Sequence, residues 1–154
     1  MKTYETAKEV VDCLVDFHYR ALRLVEEGMD KEQDERVTML LHYLFEHHSE
    51  LQEALVNYDA DSDDDLFGTP VVYALENEEA PEAFVEEFEV DQHMDFDTAE
   101  KLGRALGDYP VDLLANVVAE INEPALAEVF ASFLDLERIE QRKLTRALNA
   151  MRDM

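Results

Sequence analysis

The chain has one cysteine, no tryptophan, four glycines and four prolines among its 154 residues. A lone Cys13 excludes an intrachain disulfide and any cysteine-based zinc site. With glycine this scarce there is no Gly-x-Gly, no phosphate-cradling loop and no G-x-S-x-G. Hydrolase, kinase and dinucleotide-binding readings therefore have no motif to stand on. Positive charge is also short: 13 Lys and Arg face 38 Asp and Glu, for a formal net charge of -25. A surface so acidic argues against nucleic acid and anionic membranes as partners. No segment approaches the roughly 20 apolar residues that a membrane span needs. The opening MKTYETAKEVVDCLVD lacks the basic start and unbroken apolar core of a signal peptide, so a cytoplasmic protein is expected.

What is present suffices for one domain, residues 1–154, with 47% hydrophobic residues. A domain of this size buries roughly 68–70% of its unfolded surface and needs no covalent or metal staple. The acidity is uneven. Residues 59–97 hold fifteen Asp and Glu, and neither Lys nor Arg occurs between Arg36 and Lys101. The last stretch instead carries Arg138, Arg142, Lys143, Arg146 and Arg152. Cations toward a helix C-terminus complement its dipole.

Hydrophobic periodicity predicts four long helices. Val10, Val11, Leu14, Phe17, Ala21, Leu24 and Val25 recur at helical steps over about 3–27, with Gly28 expected as the residue just past the end. Asp30 with Gln33 reads as the cap of a second helix over about 31–58, whose stripe is Val37, Leu40, Leu41, Leu44, Leu51 and Leu55. Like charges in DADSDDD, residues 59–65, end the periodicity. Pro70 and Pro81 each mark the first position of a short helical turn, at 70–78 and 81–88. Asp97 with Glu100 caps a third helix over about 98–121, which Gly107 and Pro110 should kink or break near 107–110. Pro124 opens the fourth, over about 124–151, and no strand is expected.

A tight hairpin, a crossover of residues 59–97 and a second tight pair imply an all-α, up-down four-helix bundle with one long connection. That connection lets the second and third helices run parallel, as in ferritin-like bundles. The aromatic residues Phe67, Tyr73, Phe84, Phe88 and Phe96 interrupt the acidic crossover. They are expected to cover the bundle's own open edge, with a homodimer as the alternative.

Some polar residues fall on the apolar stripes. His18 lies in the series Val11, Leu14, His18, Ala21, and His48 in Leu41, Leu44, His48, Leu51. Glu137 and Glu140 sit one turn apart among Phe130, Phe133 and Leu144. With the hairpin DERVTMLLHYLFEHHSELQEALVNY and the final FASFLDLERIEQRKL, the chain resembles the ferritin-like superfamily, including small bacterial members of uncharacterised role. The resemblance implies the bundle fold and names His18, His48, Glu137 and Glu140 as candidate ligands for iron or manganese. A complete di-metal centre would have an inward Glu from each of two helices and Glu-x-x-His pairs from the others. Here Glu46 is followed at the third step by Ser49, and Glu137 by Glu140. The third helix offers LGDYPVD where a ligand belongs, and Asp108 or Asp112 could serve only if turned inward. Pairing of His48 with Glu137 across the core would account for these residues without metal.

Other constellations are weaker. His42 and Glu46 form the H-x-x-x-E spacing of hemerythrin-like proteins, but no His follows His93 to supply the later helices. His47, His48 and Glu50 could take metal adventitiously at the surface. A calcium loop starting at Asp59 fails because its sixth position is Asp64 rather than Gly and its twelfth is Pro70. Cys13 reads as a half-buried, inert thiol. The sequence therefore predicts a non-enzymatic structural or interaction protein with no cofactor and an unknown protein partner. An iron- or manganese-binding protein for storage or redox chemistry is the alternative.

Overall fold

The computed structural model describes residues 3–4, 6–31, 34–60, 64–71, 73–74, 80–88 and 94–154. Four long helices carry the molecule: α1 (Ala7–Met29), α2 (Glu35–Ala60), α5 (Phe96–Glu120) and α6 (Pro124–Arg152). Two short ones, α3 (Asp64–Phe67) and α4 (Pro81–Glu86), lie in the crossover. The remaining regular structure among the described residues is a two-residue antiparallel ladder, β1 (Thr3–Tyr4) against β2 (Tyr73–Ala74), with Thr3 opposite Ala74. The fold is all-helical, and no described helix is long and apolar enough to cross a membrane.

The helix starts follow from side chains that satisfy the first backbone N–H groups. Thr6 accepts from the Glu9 amide, so α1 begins at Ala7 rather than near residue 3. Asp34 accepts from Val37 N at 3.0 Å and displaces the expected Asp30 cap. Asp95 likewise accepts from Thr98 N at 2.7 Å, two residues ahead of the expected Asp97. Glu123 accepts from both Ala125 N and Leu126 N, ahead of Pro124. Gly28 does not end α1: it stays helical and buried, and no described glycine has positive φ.

Pro110 does not divide α5, which runs unbroken from Phe96 to Glu120. Leu106, Tyr109, Pro110, Leu113, Leu114 and Val117 are all buried, so packing on both sides of the proline offsets the one backbone bond it removes. In the crossover, α4 starts at Pro81 as expected, whereas the turn expected at 70–78 is absent from its described residues, where Tyr73 and Ala74 are extended. Residues 75–79, and Asp61, Ser62 and Asp63 of the acidic run, lie outside the described residues.

The helices pack as two neighbouring pairs, α1 with α2 and α5 with α6, joined across α2–α5, α2–α6 and α1–α5 around one apolar core. Two glycines of α5 face leucines of neighbouring helices. A Cβ on Gly103 would stand 3.3 Å from Leu44 Cδ2, and one on Gly107 3.1 Å from Leu144 Cδ2. Four of the five crossover aromatics, Phe67, Phe84, Phe88 and Phe96, turn onto the bundle itself. Phe67 and Phe96 are buried, and Phe84 and Phe88 pack against the core beside α1. Phe96 is covered by two guanidiniums, Arg36 at 4.7 Å and Arg152 at 5.6 Å from its ring centre. Arg152 also bridges Asp97 and Glu100 at 2.8 Å each, tying the end of α6 to the start of α5.

Candidate functional site

The amphipathic stripes of α1, α2 and α6 converge on one polar level inside the apolar core. His18 of α1 and His48 of α2 are fully buried, and His47 and Glu137 are nearly so. His18 stands at the centre of a hydrogen-bonded chain. Its Nδ1 lies 2.9 Å from His48 Nδ1, and its Nε2 lies 2.8 Å from Glu137 Oε1. The expected His48–Glu137 pairing is thus corrected: His18 sits between them and bonds to both.

These contacts constrain the protons. A carboxylate at Glu137 accepts from His18 Nε2–H, which leaves His18 Nδ1 to accept from His48 Nδ1–H while His18 is neutral. Burial holds the pKa of His48 well below its ordinary value, with the nearby His18 and His47 acting in the same sense. Burial likewise lowers His47 to about 4, against the opposing pull of Glu137. Both rings are neutral at physiological pH. His48 Nε2 and His47 Nδ1 have no hydrogen-bond partner among the described residues.

Glu140 does not join the chain. It is partly buried, bonds to Lys143 Nζ at 3.0 Å, and approaches His47 Nδ1 only to 3.8 Å, too far for a hydrogen bond. His47 and His48 are not the surface pair expected with Glu50. His47 lies on the line Leu40, Leu44, His47, Leu51, adjacent to the series that marked His48, and that spacing is the signal by which it could have been found. His42 and Glu46 are exposed, so the H-x-x-x-E pair points away from the core. Cys13 is buried rather than half-buried.

At this level α5 turns its two carboxylates outward and a tyrosine inward. Asp108 and Asp112 are both exposed, and Asp108 accepts from Gln141 at 2.6 Å. Tyr109 occupies the inward position and stacks on Phe17, their ring centres 4.4 Å apart. Phe84 of α4 closes over Tyr109 at 4.7 Å. Phe17 in turn meets the His48 ring edge-on at 6.1 Å. The polar chain is therefore walled by rings on the α4 and α5 side.

This geometry bears on the ligand set that the family resemblance implied. One ion can take only one nitrogen of a given imidazole, and the two ring nitrogens point in diverging directions. His48 and Glu137 address opposite nitrogens of His18, so the three cannot hold a single ion together in this arrangement. Among the described residues, no group of three or more His, Cys, Asp and Glu side chains could hold a metal ion. The arrangement can instead position a proton along His48, His18 and Glu137 and fix the register of three helices. No family model, curated protein or solved structure matches the chain.

Proposed function

We propose that the chain is a ferritin-like four-helix bundle acting as a non-enzymatic structural or interaction protein, with a His–His–carboxylate hydrogen-bond chain where relatives of that architecture would carry metal. The observation that carries this reading is the use of both His18 nitrogens by protein partners, at 2.9 and 2.8 Å. The exposure of Asp108 and Asp112, the α5 carboxylates nearest this level, supports it, since a di-metal centre draws on all four helices. Elemental analysis of untagged protein, paired with an Fe(II) and Mn(II) titration of the melting temperature, tests it. The expected result is no stoichiometric metal and no shift. A ligand at a hundredfold its dissociation constant would stabilise by about 2.7 kcal/mol, which such a titration resolves easily.

A second reading draws on the two buried, unpartnered nitrogens, His48 Nε2 and His47 Nδ1. A metal protein using His47, His48, Glu137 and Glu140, with iron or manganese for storage or redox chemistry, would engage them after the His18 contacts rearranged. It predicts a melting shift with metal that Glu137→Ala abolishes. The leading reading predicts that Glu137→Ala changes stability in the absence of any metal.

A further inference from the structure

Charge is distributed so that one side of the molecule complements another. Residues 1–99 contain 28 Asp and Glu against six Lys and Arg, whereas residues 100–154 contain ten against seven. Within the second half, α6 presents Arg138, Arg142 and Arg146 as a row at four-residue spacing, all exposed, with Lys143 alongside paired to Glu140 at 3.0 Å. The exposed Ile139 lies within that row. At 1.5 Å per residue the row is about 12 Å long.

An open groove of about 680 Å³ lies between α1 and α4. Its rim carries Glu26, Glu27, Asp30, Glu82 and Glu86, five carboxylates against the two guanidiniums of Arg20 and Arg23. Arg20 is itself held by Asp16 at 2.8 Å, which further weakens the positive contribution. The floor is apolar, formed by Leu24, Val85 and Phe88. From Tyr19 to Asp30 the groove follows α1 for about 16 Å, long enough to seat the α6 row.

We propose that the exposed face of α6 in one copy docks into the α1–α4 groove of a second copy, with the arginine row facing the carboxylate rim and Ile139 facing the apolar floor. The charge excess is opposite in sign on the two surfaces, and an exposed isoleucine meets an apolar floor. Arginine is the cation suited to bidentate pairing with carboxylates. The two surfaces lie on different helix pairs, since α4 packs on α1 while α6 packs on α5 and α2. Such a contact is head-to-tail, and it propagates unless the rotation between copies closes a ring. It extends the reading as an interaction protein but is independent of the buried histidines, so its failure and the failure of that reading are separately visible.

Sedimentation velocity over a wide concentration range at moderate salt tests the contact. Wild-type protein is expected to form species larger than a monomer that grow with concentration. The triple variant Arg138→Glu, Arg142→Glu, Arg146→Glu and the groove variant Glu26→Arg, Glu82→Arg, Glu86→Arg are each expected to lose those species. An equimolar mixture of the two variants is expected to regain them, because the unaltered arginine row of the groove variant fits the unaltered groove of the row variant and the reversed pair is again complementary. All six positions are exposed, and circular dichroism checks that each variant keeps its helices; Arg142→Ala, Arg146→Ala serves if a triple variant does not. A wild-type chain that stays monomeric throughout, or reversal variants that associate as the wild type does, overturns the proposal. So does a mixture that remains monomeric.

Discussion

The buried histidines make pH the natural probe at the scale of single residues. His47 has a folded pKa of about 4, below the ordinary 6.5, because burial disfavours its charged form. The unfolded chain therefore binds more protons than the folded one between these values, and stability must rise with pH across that window. The His47 contribution is complete above pH 6.5 and lost as the pH falls toward 4. Its size is roughly 3 kcal/mol, from about 1.36 kcal/mol per pKa unit, and His48 acts in the same direction. Denaturant unfolding at a series of pH values should show this acid-side loss, and His47→Leu should flatten the curve. For Glu137→Ala, His18 Nε2 loses its acceptor inside the core. A cost of about 1–3 kcal/mol is expected from the unmet polar group alone, measured by the unfolding midpoint in metal-free buffer. His18, His48 and Glu137 were legible as inward residues because each interrupts an apolar stripe at helical spacing. Which of them touch was not legible, because rotation of a helix by a few tens of degrees exchanges one neighbour for another. His47 shows the same limit: next to a histidine already placed inward, it reads as surface until the helix's actual rotation is known.

At the scale of elements, the long helices could be read because their stripes run for six or more turns, and their boundaries could not because several acidic residues compete for each cap. Asp30, Asp34, Asp95 and Asp97 all suit an N-cap chemically, and the choice falls to the backbone direction entering each helix. The break that Pro110 allowed is missing for a related reason. The proline's local cost is fixed by chemistry, but the packing of Leu106, Leu113 and Leu114 that holds α5 continuous is tertiary. The glycines of α5 give a sharper test. Gly107→Ala adds a Cβ 3.1 Å from Leu144 Cδ2, the far end of a flexible side chain. Leu144 borders a small surface groove of about 130 Å³, into which it can give way. The helical preference of alanine, up to about 1 kcal/mol, should then prevail, and Gly107→Ala should raise the melting temperature. Gly107→Leu exceeds the available space and should destabilise by about 1–3 kcal/mol in the same assay.

At the scale of the whole molecule, one polar chain joins α1, α2 and α6, and one arginine clamp joins the ends of α2, α5 and α6. The clamp lies outside the buried core and is open to screening: Arg152→Ala should lower the melting temperature more at low salt than at high salt. The polar chain is buried and should be indifferent to salt. That the crossover's rings cover the bundle was legible from the sequence, since exposed rings in so acidic a segment need a surface to cover, but that α4 lies on α1 was not. The two-residue ladder and α3 were not, because neither carries a periodic pattern long enough to see. The central claim is that the buried polar groups are engaged with one another rather than arranged around an ion. Its most direct test is ¹⁵N NMR of histidine-labelled protein at neutral pH, before and after stoichiometric Zn(II), a diamagnetic ion that accepts the same nitrogen and carboxylate ligands. The account predicts a neutral His48 protonated on Nδ1, coupling across the His18–His48 hydrogen bond, and no change on adding Zn(II). Loss of that coupling, with a metal-induced shift at His48 Nε2 or His47 Nδ1, would contradict it.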